Sequence, residues 1–392
     1  MRGSANCNSA RNLSLFMQKI IITSTWGSGY VNGGGMQWLN LHYAAGLRAL
    51  GYEVFWLDVL GPPKKPTDRQ PSEMMKDFQA QCEQFGLGDH WAVHYDNREV
   101  FGMTEKNLHS LCGDSALLIN LCGSLKDDDL LRRIKRRAYF DLDPGFTQIW
   151  AQEWDMDLSK HNLFFTVGLN IGRPEFPIPL RDLEWHTFMP PVALEYWPVQ
   201  TDAIAKNFTT VGQWRGQYAV WNSEMYGPKS DEFLRFIELP KKTMQPLELA
   251  MLIHEYEVDD IAAIRNNGWG LVNPHEVAQG RDGFRSYIQQ SRAEFSVAKH
   301  GYVKSHSGWL SDRTVCYLAS GRPALVQETG ISNHLPTGQG LLTFTTMEEA
   351  VRGIDSINAD YPAHCAAARK LAEEKLSAPE VMQSILERAG VL

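Results

Sequence analysis

Apolar positions in this chain fall into short β-branched runs separated by stretches with helical spacing. KIIITS (19–24) is a continuous apolar run of the kind that fills a strand buried on both faces. A glycine-rich loop follows. Residues 36–50 then carry apolar side chains at Leu39, Leu41, Ala44, Ala45 and Leu47, with Gly51 where helices commonly stop. YEVFWLDV (52–59) reads as the next strand. A strand, a helix and a strand within about 40 residues make a βαβ unit, which predicts a doubly wound α/β arrangement.

The alternation continues through ALLINLCG (116–123), AYFDLD (138–143) and NLFFTVG (162–168) as strands. KDDDLLRRIKRR (126–137) has its acids first and its bases last, as the helix dipole favours. HTFMPPVALEYWPVQ (186–200) loses periodicity, is proline-rich and reads as a linker. Strands resume with FTTVGQW (208–214), LELAMLI (247–253), GLVNP (270–274), EFSVAKHGYV (294–303), PALVQ (323–327) and GLLTF (340–344). From Met347 to Leu386 the pattern is helical. The expected organisation is a flexible tail (1–18), two Rossmann-like domains (19–195 and 196–370) and a terminal helix (371–392).

Composition narrows the class. A net charge of −8 argues against a nucleic-acid-binding protein, which would carry a basic stripe. The six cysteines show neither CxxC nor metal-ligand spacing, so they read as free thiols of a reducing cytoplasm. No apolar run reaches the roughly 20 residues that span a bilayer. The basic group Arg132, Arg133, Lys135, Arg136 and Arg137 admits peripheral contact with anionic lipid, although a solvated helix end is the plainer reading. Twelve tryptophans suit either sugar-binding surfaces or a large core.

The chemistry concentrates in HSGWLSDRTVCYLASGRPALVQETG (306–330). The segment reads as a strand exit, a small-residue turn, a helix opening at Ser311 or Asp312, and Gly321 closing that helix. Such a helix start offers unpaired backbone N–H groups to an anion. His306, Ser307 and Ser311 add side-chain donors beside it.

Residues 306–311, His-Ser-Gly-Trp-Leu-Ser, resemble the H-x-G-W-x-S core of the nucleotide-sugar signature in GT-B glycosyltransferases. Residues 319–326, A-S-G-R-P-A-L-V, resemble the A-x-G-x-P motif that follows it. The resemblance implies a GT-B fold whose terminal helix crosses back to the N-terminal domain. It also implies a diphosphate seat built from His306, Ser307, Gly308, Trp309 and Ser311. The family's ribose-binding Glu is absent, and Cys316 stands in its place. Asp312 and Arg313 become candidates for ribose or phosphate contacts.

Further candidates surround this segment. Glu328 and Thr329 occupy a sugar-contacting position or merely a glycine-ended turn. Arg215 and Lys229 are candidate phosphate cations. Gly27, Gly29, Gly33 and Gly34 would let backbone approach the donor. Their spacing, with Asp58 downstream, also makes a weak dinucleotide-like match. Asp143, then Asp141 and His186, are candidate bases for an acceptor hydroxyl. Asp143-Pro144-Gly145 reads more plainly as a helix cap with Pro at the first helical position. The DxD-like pairs at 141–143 and 155–157 raise a metal-dependent GT-A enzyme, but two α/β halves favour GT-B and no obligatory metal. The sequence reading is a metal-independent, cytoplasmic hexosyltransferase with no cofactor beyond a UDP, dTDP or GDP sugar as co-substrate. Its acceptor is undetermined. An epimerase of the same fold and a non-catalytic nucleotide or glycan binder stay open.

Overall fold

The computed structural model describes residues 17–24, 33–61, 70–96, 98–200 and 206–392. The apolar runs form strands as expected. β1 (Lys19–Ser24), α1 (Gly34–Ala49) and β2 (Glu53–Leu60) build the first βαβ unit. α2 (Pro71–Gln84) leads to β3 (Trp91–Tyr95), and β4 (Glu99–Phe101) returns antiparallel beside it. α3 (Glu105–Asp114), β5 (Leu117–Leu121), α4 (Asp128–Arg133), β6 (Arg137–Asp141) and α5 (Phe146–Glu153) follow. β7 (Leu163–Thr166) and β8 (Trp185–Thr187) complete an eight-stranded sheet of order β4-β3-β2-β1-β5-β6-β7-β8.

The second sheet has six parallel strands. β9 (Phe208–Gln213) enters it, and an outlying antiparallel hairpin of β10 (Ala219–Trp221) and β11 (Glu224–Tyr226) follows. After α6 (Lys229–Phe233) come β12 (Leu247–Leu252), α7 (Val258–Asn266) and β13 (Gly270–Val272). α8 (Pro274–Val277), α9 (Gly280–Gln289), β14 (Ala293–Ser296) and α10 (His300–Lys304) lead to α11 (Asp312–Ala319). β15 (Ala324–Gln327) and β16 (Leu341–Phe344) then give the order β13-β12-β9-β14-β15-β16. α12 (Met347–Ala359), α13 (Tyr361–Lys375) and α14 (Ala378–Arg388) close the chain.

One hydrophobic core joins the two sheets through α1. It runs from Ile20 and Ile22 through Trp38, Leu41 and Leu47 to Val315 and Leu318 of α11 and Met382 and Ile385 of α14. Close approach of α1 depends on its glycines. A Cβ on Gly46 would meet the Ala378 carbonyl oxygen of α14 at 2.6 Å, and one on Gly34 would collide with the Gly280 carbonyl and Phe284 of α9. The Trp38 indole donates to the Arg281 carbonyl (2.9 Å) across the same boundary.

Several expectations are corrected. The stretch 294–303 is not one strand: β14 stops at Ser296, and His300 opens α10. The proposed linker begins inside the first sheet, because residues 185–187 pair with β7. Asp143 does not cap α5. Gly145, at φ 90°, takes that place, and the Gln148 side chain accepts its N–H. The terminal helix starts at Ala378, since residue 371 lies within α13. Among the described residues no helix is long and apolar enough to cross a membrane.

Candidate functional site

α11 starts where the second sheet's strands end. Ser311 caps it, its Oγ accepting from the Arg313 N–H at 3.2 Å. Gly321 (φ 67°) closes it with bonds to Leu318 and, from Arg322, to Tyr317. The helix is thus fixed at both ends by residues that the sequence identified. Its first turn presents Arg313 inward. Arg313 Nε donates to Glu294 Oε1 (2.7 Å), Nη2 to Ser296 Oγ (2.6 Å) and Nη1 to the Val211 carbonyl (2.9 Å). Burial works against the guanidinium charge, but Glu294 outweighs it and holds the pKa above the ordinary value.

Lys229 is the unusual neighbour. Its side chain approaches the same glycine as Arg313: a Cβ on Gly212 would lie 3.5 Å from Arg313 Nη1 and 3.8 Å from Lys229 Nζ. Lys229 is 8% exposed, and among the described residues it has no hydrogen-bond or ion-pair partner. Burial, then the neighbouring guanidinium, pushes its ammonium well below the usual lysine range. Buried cations are ordinarily paired. Glu294 and Asp312 are the carboxylates that act on both cations, and Glu294 Oε2 is itself buried without a hydrogen bond. The arrangement has room in its charge balance for an anion, which would restore the ammonium's affinity for its proton.

The turn ahead of α11 is built by α10. His306 sits at the left-handed position after that helix (φ 47°), its N–H bonding to Val303 and that of Ser307 to Tyr302. This is the helix-ending motif that usually carries glycine. The His306 side chain is exposed, whereas Ser307 is buried with its hydroxyl on the Tyr302 carbonyl (3.3 Å). Gly308 (φ 71°) donates to the Thr329 carbonyl at 2.7 Å, and a Cβ there would press on the Asn170 nitrogen. Trp309 packs tilted against Tyr302 with centroids 4.4 Å apart. Thr329 is buried and donates to the Trp309 carbonyl (2.7 Å), while Glu328 accepts from Gly330 N (2.6 Å). Both side chains therefore fasten the turn.

Asn170, in the loop after β7, ties this turn to the first sheet. Its Nδ2 donates to the His306 carbonyl (2.7 Å), its backbone N–H bonds to Ser307 O, and its Oδ1 meets His334 Nε2 (2.7 Å). Nothing in the sequence flags it. A second bridge joins Asp143 to Lys299 Nζ (2.5 Å) and the Tyr302 hydroxyl. Burial alone would raise the Asp143 carboxyl, but Lys299 and Tyr302 hold it below the usual carboxylate range. A carboxylate so stabilised is a weak base.

The remaining candidates fall elsewhere. Asp141 is fully buried and accepts from Thr147, Gln148, Thr166 and the Asp143 N–H, so its oxygens are taken up by the fold. His186 lies in β8, the outermost strand, tilted against Phe165 at 5.3 Å. Arg215 is already neutralised by Glu257 and by Asp260 at 2.6 Å. Asp155 and Asp157 form a local turn in which Asp155 Oδ1 accepts Asp157 N. Gly33 caps α1, and Gly34 serves contact between helices; Gly27 and Gly29 lie outside the described residues. In the basic stretch, Arg133 pairs with Asp129, and Arg137 donates to the carbonyls of Lys160 and Ile134.

Cys316, where a ribose-binding Glu is expected, faces α1 instead. Its Sγ lies 3.5 Å from His42 Nε2. His42 is buried, accepts from Ala193 N (3.1 Å) and stacks on Trp38; burial lowers its pKa to about 3. A histidine one turn from Trp38 on the buried stripe of α1 was the available signal for this contact. Asp312 borders a small cavity of about 30 Å³ together with His42, Tyr43 and Trp309, and burial raises its carboxyl. A larger cavity, about 810 Å³, lies among Lys19, Trp91, Thr104 and Asn107, at the amino ends of β1 and β3. Ligands of open α/β sheets bind at the carboxyl ends, so the smaller, charged region is the better candidate.

No protein-family model matches the chain, and no curated protein matches it in sequence. Solved structures do match in fold. An alpha-glucosyltransferase in complex with UDP and a mismatched DNA is similar at 12% identity and TM-score 0.60, covering 96% of this chain and 100% of that one. HepE from Anabaena, in complex with UDP and glucose, is similar at 12% identity and TM-score 0.57, covering 96% and 100%. Sucrose-phosphate synthase from Thermosynechococcus elongatus is similar at 10% identity and TM-score 0.54, covering 95% and 98%. The chain has the GT-B fold.

Proposed function

We propose that this protein transfers a glycosyl group from a nucleoside-diphosphate sugar, with UDP as the nucleotide, to an acceptor hydroxyl or amine between its two sheets. The observation that carries the reading is Lys229, buried beside Arg313 at the carboxyl end of β9 and without a partner among the described residues. A departing diphosphate gains negative charge as the glycosidic bond breaks. A preorganised cation beside the start of α11 stabilises that charge without reorganisation during the reaction. Packing of the two sheets through α1, Asn170 and Asp143 supports exclusion of water from the reacting centre. UDP is the choice because the alpha-glucosyltransferase and HepE of like fold were each captured with it. Asp143 positions the two halves in this scheme and is not the base.

Lys229→Met provides the test. Removing an unpaired buried ammonium leaves thermal stability unchanged or higher. The same change weakens UDP-sugar binding at least tenfold, about 1.4 kcal/mol. Binding is read by thermal shift, where a ligand at 100 times its Kd stabilises by about 2.7 kcal/mol. Undiminished donor binding in a folded Lys229→Met protein overturns the assignment. Incubation of the enzyme with donor alone separates transfer, which needs an acceptor, from isomerisation of the donor, which does not.

A further inference from the structure

We propose that α5 and the β10–β11 hairpin form an aromatic platform that binds a neutral carbohydrate chain, the acceptor or part of it. The hairpin is firmly mounted: Ala219 and Tyr226 share a core with Phe146 and Ile149 of α5 and Tyr302 of α10. The Trp150 indole also donates to the Tyr218 carbonyl (3.4 Å). Its outer side is nonetheless apolar. Tyr218 is 65% exposed and Met225 54%, and Trp154, which follows Trp150 by one turn, is 58% exposed. Large apolar side chains exposed on two joined elements point to an interaction site.

The chemistry of the patch indicates its occupant. Trp154 stacks on Trp150 with an interplanar angle of 17° and centroids 6.4 Å apart, so the exposure belongs to the opposite ring face. An indole face carries negative charge density. The C–H groups on one side of a pyranose ring are weakly positive, and they fit such a face. The patch is bordered by the exposed carboxylates Glu153, Asp155 and Glu224, and Lys304, which donates to the Met225 carbonyl, is tied to Glu224 at 3.0 Å. That charge repels anionic lipid and nucleic acid and leaves a neutral glycan unaffected. The platform also leads to the cleft. Gln217, adjacent to Tyr218, accepts from Lys299 Nζ (3.1 Å), and Lys299 forms the bridge to Asp143. One aromatic arm comes from each sheet's share of the chain, so a bound glycan spans both.

Only the identification of this glycan as acceptor rests on the glycosyl-transfer reading; its binding is measured without donor. Native electrophoresis through gels containing glycogen, laminarin, hydroxyethylcellulose or galactomannan tests it directly. The wild-type protein is retarded in at least one gel. Trp154→Ala and Tyr218→Ala weaken that retention at least tenfold, Trp154→Phe restores it, and all three keep the wild-type thermal shift with UDP-glucose. Absence of retardation in every gel overturns the platform, as does equal retention by Trp154→Ala. Binding to phosphatidylserine vesicles that Trp154→Ala abolishes overturns it in favour of a membrane. Retention that survives in a protein showing no UDP-sugar shift leaves the platform standing and removes the transfer reading alone.

Discussion

His306 carries two duties that a substitution pair separates. As the left-handed residue after α10 it strains the backbone, a cost of about 1–2 kcal/mol for an L-residue that glycine avoids. Its exposed imidazole is the part that the signature resemblance assigns to the diphosphate. His306→Gly is therefore expected to melt at or slightly above the wild-type temperature, and His306→Ala at or slightly below it. Both lose at least tenfold in turnover. Full turnover in His306→Gly assigns the residue to the turn alone. Such distinctions mark where the sequence stopped being informative. Residues 306–330 announced a capped helix and its glycine stop, because Ser311 and Gly321 act locally. That Lys229 lacks a partner among the described residues, that Arg215 has two carboxylates and that Asp143 is held by Lys299 are facts of three-dimensional neighbourhood. No local pattern encodes them.

Among the elements, α1 carries the most consequence. Gly34 lies where any side chain collides with Gly280 and Phe284 of α9. Gly34→Ala is expected to destabilise by about 1–3 kcal/mol, the usual effect of overpacking. A companion change at Gly51, where no atom lies near an added Cβ, reports only its left-handed backbone (φ 86°). Urea unfolding of both variants measures the difference, and an unaltered midpoint for Gly34→Ala contradicts the packing. Legibility varied with element type for a physical reason. β1 and β5 are buried on both sides and read as unbroken apolar runs. β4 and the β10–β11 hairpin are short, partly polar and lie at edges, so they did not stand out. The apolar residues after Ser296 continued a strand-like pattern although His300 begins a helix.

For the whole molecule, the buried join between the sheets makes stability depend on acid. His42 titrates near 6.5 when unfolded and near 3 in the fold, because burial disfavours its charged form. His161, lowered to about 4 by burial, acts in the same sense. Below pH 6.5 the unfolded chain binds protons that the folded chain refuses, so stability is complete above that pH and declines as pH falls. The slope approaches about 1.4 kcal/mol per pH unit for each such histidine until its folded pKa is reached. His42→Gln is expected to flatten the decline between pH 6 and pH 4 in chemical unfolding. A slope identical to wild type contradicts the assignment.

The contact of α1 with α9 also bears on how this protein can be recombined. Two sheets, each formed by one half of the chain, invite exchange of the halves. Here the bare backbone of Gly34 rests against the bare backbone of Gly280, with Phe284 closing the gap. A foreign N-terminal half bearing any side chain at the place of Gly34 drives it into the Gly280 carbonyl and Phe284, and the halves cannot seat as they do here. Compatibility of grafts is thus decided at one position of α1. A productive chimera must keep a glycine there before its binding surfaces matter.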